Sequence, residues 1–112
     1  MTNQCSLTDK NCIPCQGGVP PLTAEEVGNL CPQVPDWKVD ENHHLARSFQ
    51  FNDFVTALAF VNEVGNVAES EGHHPNIHLT WGQVDISIWT HKIDGLSESD
   101  FILAAKIDQL KK

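Results

Sequence analysis

The sequence predicts a single α+β domain: a two-layer sandwich of a four-stranded antiparallel sheet with three helices packed on one face, in the order α-β-β-α-β-β-α. Three observations lead there. Helix-start signals occur at Thr23, at Asn52 or Asp53, and at Ser97, each followed by apolar residues. Between them lie two stretches in which apolar and polar residues alternate on either side of a turn. The chain is 112 residues long with 40% hydrophobic and 20% charged residues and no low-complexity run, which suits one core and is too short for two.

The charge balance narrows the partners. Net charge is −8, and the seven Lys and Arg stand singly apart from Lys111-Lys112, so there is no basic footprint for nucleic acid or an anionic membrane. No apolar run approaches the roughly 20 residues of a membrane span, and the N-terminus lacks a basic-then-apolar signal. The expected location is the cytoplasm.

Residues 1–20 are polar, contain Cys, Gly and Pro, and lack periodicity; they are expected to form a flexible arm before a single domain over 21–112. Cys12-Ile-Pro-Cys15 has spacing that suits a zinc knuckle or a redox pair. Cys5 and Cys31 do not repeat it, and the motif precedes Gln-Gly-Gly rather than a helix, so free thiols are the favoured reading.

At Thr23-Ala-Glu-Glu26 a capping box opens the first helix, which should stop near Cys31-Pro32 because Pro32 has no amide donor. Trp37–Asp40 and Leu45–Phe51 then alternate, with Asp40-Glu41-Asn42-His43 as the turn of a hairpin. His43 and His44 read there as solvated turn residues, with no acid or Cys at ligand spacing.

Asn52 or Asp53 caps a second helix running to about Glu69 and ended by Gly72. Its stripe is Phe54, Leu58 and Val61, with Ala57, Val64 and Ala68 beside it. Gly65 inside it costs about 1 kcal/mol against Ala, so close packing is expected there.

In the second hairpin Ile77, Leu79 and Trp81 share one parity, and Val84, Ile86 and Ile88 share one face. A two-residue turn at Gly82-Gln83 pairs Trp81 with Val84, Leu79 with Ile86 and Ile77 with Ile88. Trp81 then belongs to the core, whereas Trp89, of polar parity, is an exposed ring wall or an oligomer contact. Ser97-Glu-Ser-Asp100 caps a last helix through about Leu110, which by itself accounts for Asp100.

Candidate chemistry concentrates between Glu69 and His91, which hold four of the six histidines. Extending the register sets His74 opposite His91, so His73, His74 and His91 converge at one end of the hairpin. Converging imidazoles with Glu69, Glu71 or Asp100 nearby suit general acid–base catalysis near neutral pH, in particular loss of water. A metal held by His74 and His78 fails, because on a strand they stand about 13 Å apart. A metal held by His73, His74 and His91 lacks a fixed fourth ligand, and satisfied surface histidines remain the alternative.

The pattern Glu69-x3-His73-His74-Pro75-x5-Trp81-x9-His91-x8-Asp100 resembles the signature of the pterin-4a-carbinolamine dehydratases. The flanks Leu45-x-Arg47-x-Phe49-x-Phe51-x-x-Phe54 and Thr90-His91 through Gly95-Leu96-Ser97 resemble the family as well. The likeness runs from about Pro21 to the C-terminus. It implies dehydration of 4a-hydroxytetrahydropterin to quinonoid dihydropterin, in recycling the cofactor of aromatic amino-acid hydroxylases. It implies His73, His74 and His91 as catalytic residues, and Glu69, Pro75, Trp81 and Asp100 as substrate-binding or orienting ones. No metal or organic cofactor is implied; the pterin is substrate. Homodimers or homotetramers are implied too. Animal members resembling this chain also act as dimerisation partners of a homeodomain transcription factor, so a non-catalytic binding module is the alternative.

Overall fold

The computed structural model describes residues 20–110. Nearly all of the arm expected over 1–20, including Cys5, Cys12 and Cys15, lies outside the described residues. In chain order the elements are α1 (Ala24–Leu30), β1 (Lys38–Asp40), β2 (His44–Gln50), α2 (Phe54–Glu71), β3 (Asn76–Leu79), β4 (Gln83–Ile88) and α3 (Glu98–Leu110). Short 3₁₀ turns at Cys31–Gln33 and His91–Ile93 complete the path. The sheet is antiparallel with strand order β1-β2-β4-β3, and the three helices form the second layer, as predicted. Among the described residues no helix is long and apolar enough to cross a membrane.

Local signals set the helix ends. Thr23 Oγ1 accepts from the Glu26 amide at 3.2 Å while Glu26 Oε1 accepts from the Thr23 amide at 2.8 Å. Asp53 caps α2 by accepting the Thr56 amide at 2.8 Å. Gly72 ends α2 at φ +66°, a left-handed conformation that costs glycine least and redirects the chain into His73-His74.

One sheet face carries the core. Leu45, Phe49, Val84, Ile86 and Ile88 are buried against α2 and α3, and α3 is itself buried from Ser99 through Ala105. Asp108 of α3 accepts from Trp37 Nε1 at 2.7 Å and from Arg47 at 2.6 Å, pinning that helix to the first hairpin.

Four expectations need correction. The second hairpin pairs Ile77 with Ile86 and Leu79 with Val84, and the loop is Trp81-Gly82, two residues out of the predicted register. A slip by two leaves every side chain on its original face, so the apolar pattern is blind to it. The neighbouring strand decides the matter. The Phe51 amide donates to the Gly82 carbonyl at 2.8 Å, and a Cβ at Gly82 would stand 2.8 Å from the Phe51 carbonyl oxygen. Only glycine lets the two backbones approach there. Trp81 consequently leaves the core for the loop tip, where it is 67% exposed.

On α2 the buried line is Ala57, Phe60, Val64 and Ala68, whereas Phe54, Val55 and Leu58 are exposed. The Phe60 ring packs on Phe49 and Phe51 with centroids 4.7 and 5.2 Å away, and that aromatic contact turns the helix. Gly65 faces open space, with nothing within 4 Å of a built Cβ, so no close packing accounts for it.

Candidate active site

The end of the second hairpin away from Trp81 opens into a cavity of about 360 Å³ lined by Gly72, His73, His74, Trp89, Thr90, His91 and Lys92. That is near the lower end of the range for small-molecule sites, roughly 300–1,000 Å³. Two segments supply the lining: the turn leaving α2 through Gly72, and the segment leaving β4 into the 3₁₀ turn at His91. The backbone of Thr90 bridges to Gly95 on both sides, closing that turn into a tight loop.

His73 is the inner histidine. Its Nε2 lies 2.6 Å from Asp100 Oδ1, and Asp100 is fully buried. The other carboxylate oxygen, Oδ2, accepts from the Ser97 amide at 2.7 Å and from Thr90 Oγ1 at 2.9 Å. Asp100 therefore caps α3, as its spacing predicted, and holds His73 with its remaining oxygen. With Nε2 committed to the carboxylate, Nδ1 is the ring nitrogen left for proton transfer.

His74 repeats the arrangement in solvent. Its Nε2 lies 2.7 Å from Glu69 Oε1, with side-chain exposures of 61% and 81%. Glu69 lies in the last turn of α2, three residues before the glycine that bends the chain back, so this pair is a local contact.

His91 is not in a strand; it opens the 3₁₀ turn after β4 and stacks on the Trp89 indole at 4.3 Å with the planes 28° apart. The corrected register carried outward sets Trp89, not His91, level with His74. The three histidines still line one cavity, which His91 reaches from the 3₁₀ turn rather than from a strand.

Two other proposed site residues fall differently. Pro75 follows His74 in the short segment before β3, and Trp81 stands at the opposite end of the hairpin, outside the cavity lining. His78 faces Asp85 across the strands on the open sheet face; that carboxyl is held below its usual range, chiefly by hydrogen bonds from Ser48 and Gln83. Among the described residues no group of three or more His, Cys, Asp or Glu could hold a metal ion.

Sequence reasoning missed Lys92 and the first hairpin's histidines. Lys92 adjoins His91 and lines the cavity, a position that parity does not reveal in a turn. His43 and His44 are half-buried rather than solvated, with ring centroids 5.3 and 5.8 Å from Trp89. Trp89 itself is a ring wall of the cavity, as its polar parity allowed, but partly buried rather than exposed.

Comparison with known proteins finds relatives over nearly the whole chain. A relative from Rubrobacter xylanophilus is 56% identical over 104 residues, covering 93% of this chain and 97% of its own. One from Rickettsia bellii is 52% identical over 112 residues, covering 99% of each. Both carry provisional names as pterin-4-alpha-carbinolamine dehydratases. A Brucella melitensis crystal structure described as a transcriptional coactivator/pterin dehydratase superposes with a TM-score of 0.77 at 31% identity, covering 82% of this chain and 99% of that one. The profile of the pterin 4 alpha carbinolamine dehydratase family matches residues 20–110, and the chain belongs to that family.

Proposed function

We propose that this chain dehydrates 4a-hydroxytetrahydropterin to quinonoid dihydropterin by histidine acid–base catalysis. The observation that carries the proposal is three imidazoles on one cavity, two of them bonded through Nε2 to a carboxylate. Family membership and the names of the relatives support the same substrate.

In the proposed reaction the C4a–O bond breaks as an imidazolium delivers its proton to the hydroxyl, which leaves as water. The N5 lone pair forms the C4a=N5 bond, and the N5 proton passes to a neutral imidazole. His74 is assigned as the acid and His73 as the base, with His91 the other candidate for the second role. A proton taken at Nδ1 of His73 leaves an imidazolium facing Asp100, the arrangement by which a buried carboxylate steadies a catalytic histidine. Each such transfer contributes about 10²–10⁴ in rate. Pro75 shapes the turn that presents both histidines, and Glu69 orients His74.

Ultraviolet-monitored dehydration of a synthetic carbinolamine tests this, run against the spontaneous rate. Dehydration faster than that rate, and lost in His74→Ala, supports the reading; a rate equal to the uncatalysed one sinks it. The second reading is a protein-binding module on the same fold, favoured by the exposed Phe54, Val55 and Leu58 on α2. Self-association into a dimer or tetramer is part of the proposal and is checked by sedimentation.

A further inference from the structure

Two of the three cavity histidines are oriented by carboxylates; the third is not. Among the described residues the His91 side chain has no hydrogen-bonding partner, and its ring contact is the stack on Trp89. The contacts of Trp89 therefore bear on how His91 is aimed.

The indole packs against both imidazoles of the first hairpin's turn. Those rings meet each other Nδ1 to Nδ1 at 3.2 Å, and His43 Nε2 lies 2.7 Å from Asp94 Oδ1. Asp94 ends the same 3₁₀ turn that His91 begins, and its amide donates to the His91 carbonyl at 3.2 Å. One end of this short turn thus stacks on Trp89 while the other end is tied to the first hairpin.

Backbone conformation gives a second, independent observation. Among the described residues the non-glycine positions with positive φ are Glu41 at 54°, Asn42 at 53° and Asp94 at 50°. Side chains other than glycine adopt that region at a cost, and it recurs where a site requires a particular geometry. All three lie in the two turns that the His43–Asp94 contact joins.

We propose that Trp89 and the His43–Asp94 tether position His91 for proton transfer, doing for it what Asp100 and Glu69 do for His73 and His74. Trp89, His43 and Asp94 act through His91 and are positioning residues. The inference rests on the dehydratase reading for its kinetic consequence but not for its geometry.

The test separates the two. The ¹³C–¹H ring resonances of His91, without substrate, report the indole ring current directly. They should move in Trp89→Ala and in Asp94→Gly, and hold near the wild-type position in Asp94→Asn, which keeps an oxygen for His43. Asp94→Gly also relieves the positive φ, so it removes the tether without a folding penalty and keeps the test valid if Trp89→Ala fails to fold. In the dehydration assay, Asp94→Gly and Trp89→Ala should lose roughly tenfold or more in kcat with KM little changed, as a misaimed reacting group does. Asp94→Asn and Trp89→Phe should recover most of it. Unmoved His91 resonances in Asp94→Gly overturn the positioning role, as does full kcat in that variant. If the wild-type protein shows no dehydratase activity while the His91 resonances still move in Asp94→Gly and Trp89→Ala, the positioning stands and only the proposed reaction is defeated.

Discussion

The inner and outer sides of the cavity make the same bond in opposite surroundings. His73–Asp100 and His74–Glu69 are both Nε2-to-carboxylate contacts, at 2.6 and 2.7 Å. Asp100 is wholly buried and shares its other oxygen with the α3 cap and Thr90, whereas Glu69 is 81% exposed and its carboxylate holds only His74 among the described residues. In water an ion pair gains little over its solvated parts, and salt screens it. In the interior the same pair is costly to half-remove. One carboxylate should therefore matter to both fold and site, the other to the site alone.

The largest expected effect breaks the inner side. Asp100→Ala strips the cap of α3 and leaves Thr90 and His73 facing a hole, and it should cost roughly 3–5 kcal/mol in chemical denaturation. A loss below about 1 kcal/mol would mean that the two sides are energetically alike.

Next comes catalysis without stability. His74→Ala and His91→Ala should each lower turnover at least about tenfold while circular dichroism and melting stay near wild type. Full activity in both removes the histidine assignment. Glu69→Gln sharpens the contrast, since it should shift stability by no more than about 0.5 kcal/mol, with an effect on turnover that fades in high salt.

Away from the cavity, Gly65→Ala should raise stability by about 0.5–1 kcal/mol, because the site is helical and open. The smallest effect concerns pH. Hydrogen bonds from Ser48 and Gln83, the larger causes, hold the Asp85 carboxyl below its usual range, with a lesser pull from His78. Its contribution to stability is then present above the ordinary carboxylate pKa and lost as pH falls through the lowered one. Urea midpoints of wild type and Asp85→Asn should accordingly converge on acidification; a gap that widens toward low pH would reverse the sign.

Much of this architecture was legible in one dimension. The capping boxes at Thr23 and Ser97, the Gly72 stop and the alternating strands are local signals, decided by backbone groups within four residues of one another. The same locality made Asp100 recognisable as a cap and Glu69 as a neighbour of the histidines. What lay beyond reach needed a distant partner. Periodicity states the faces of a hairpin but not its register to better than two residues, and only Phe51 beside Gly82 selects one. Helical spacing allowed two stripes on α2, and the Phe49 and Phe51 rings chose Phe60 over Phe54. His43 and His44 looked like turn residues because Asp94 stands about fifty positions away. The sequence by itself thus determined the elements, the inward face of the strands and the family, through contacts short enough to be written as spacing. Tertiary structure alone decided how Trp89 joins the wall those histidines share, and which carboxylate is buried, since burial belongs to the packed chain rather than to any stretch of it.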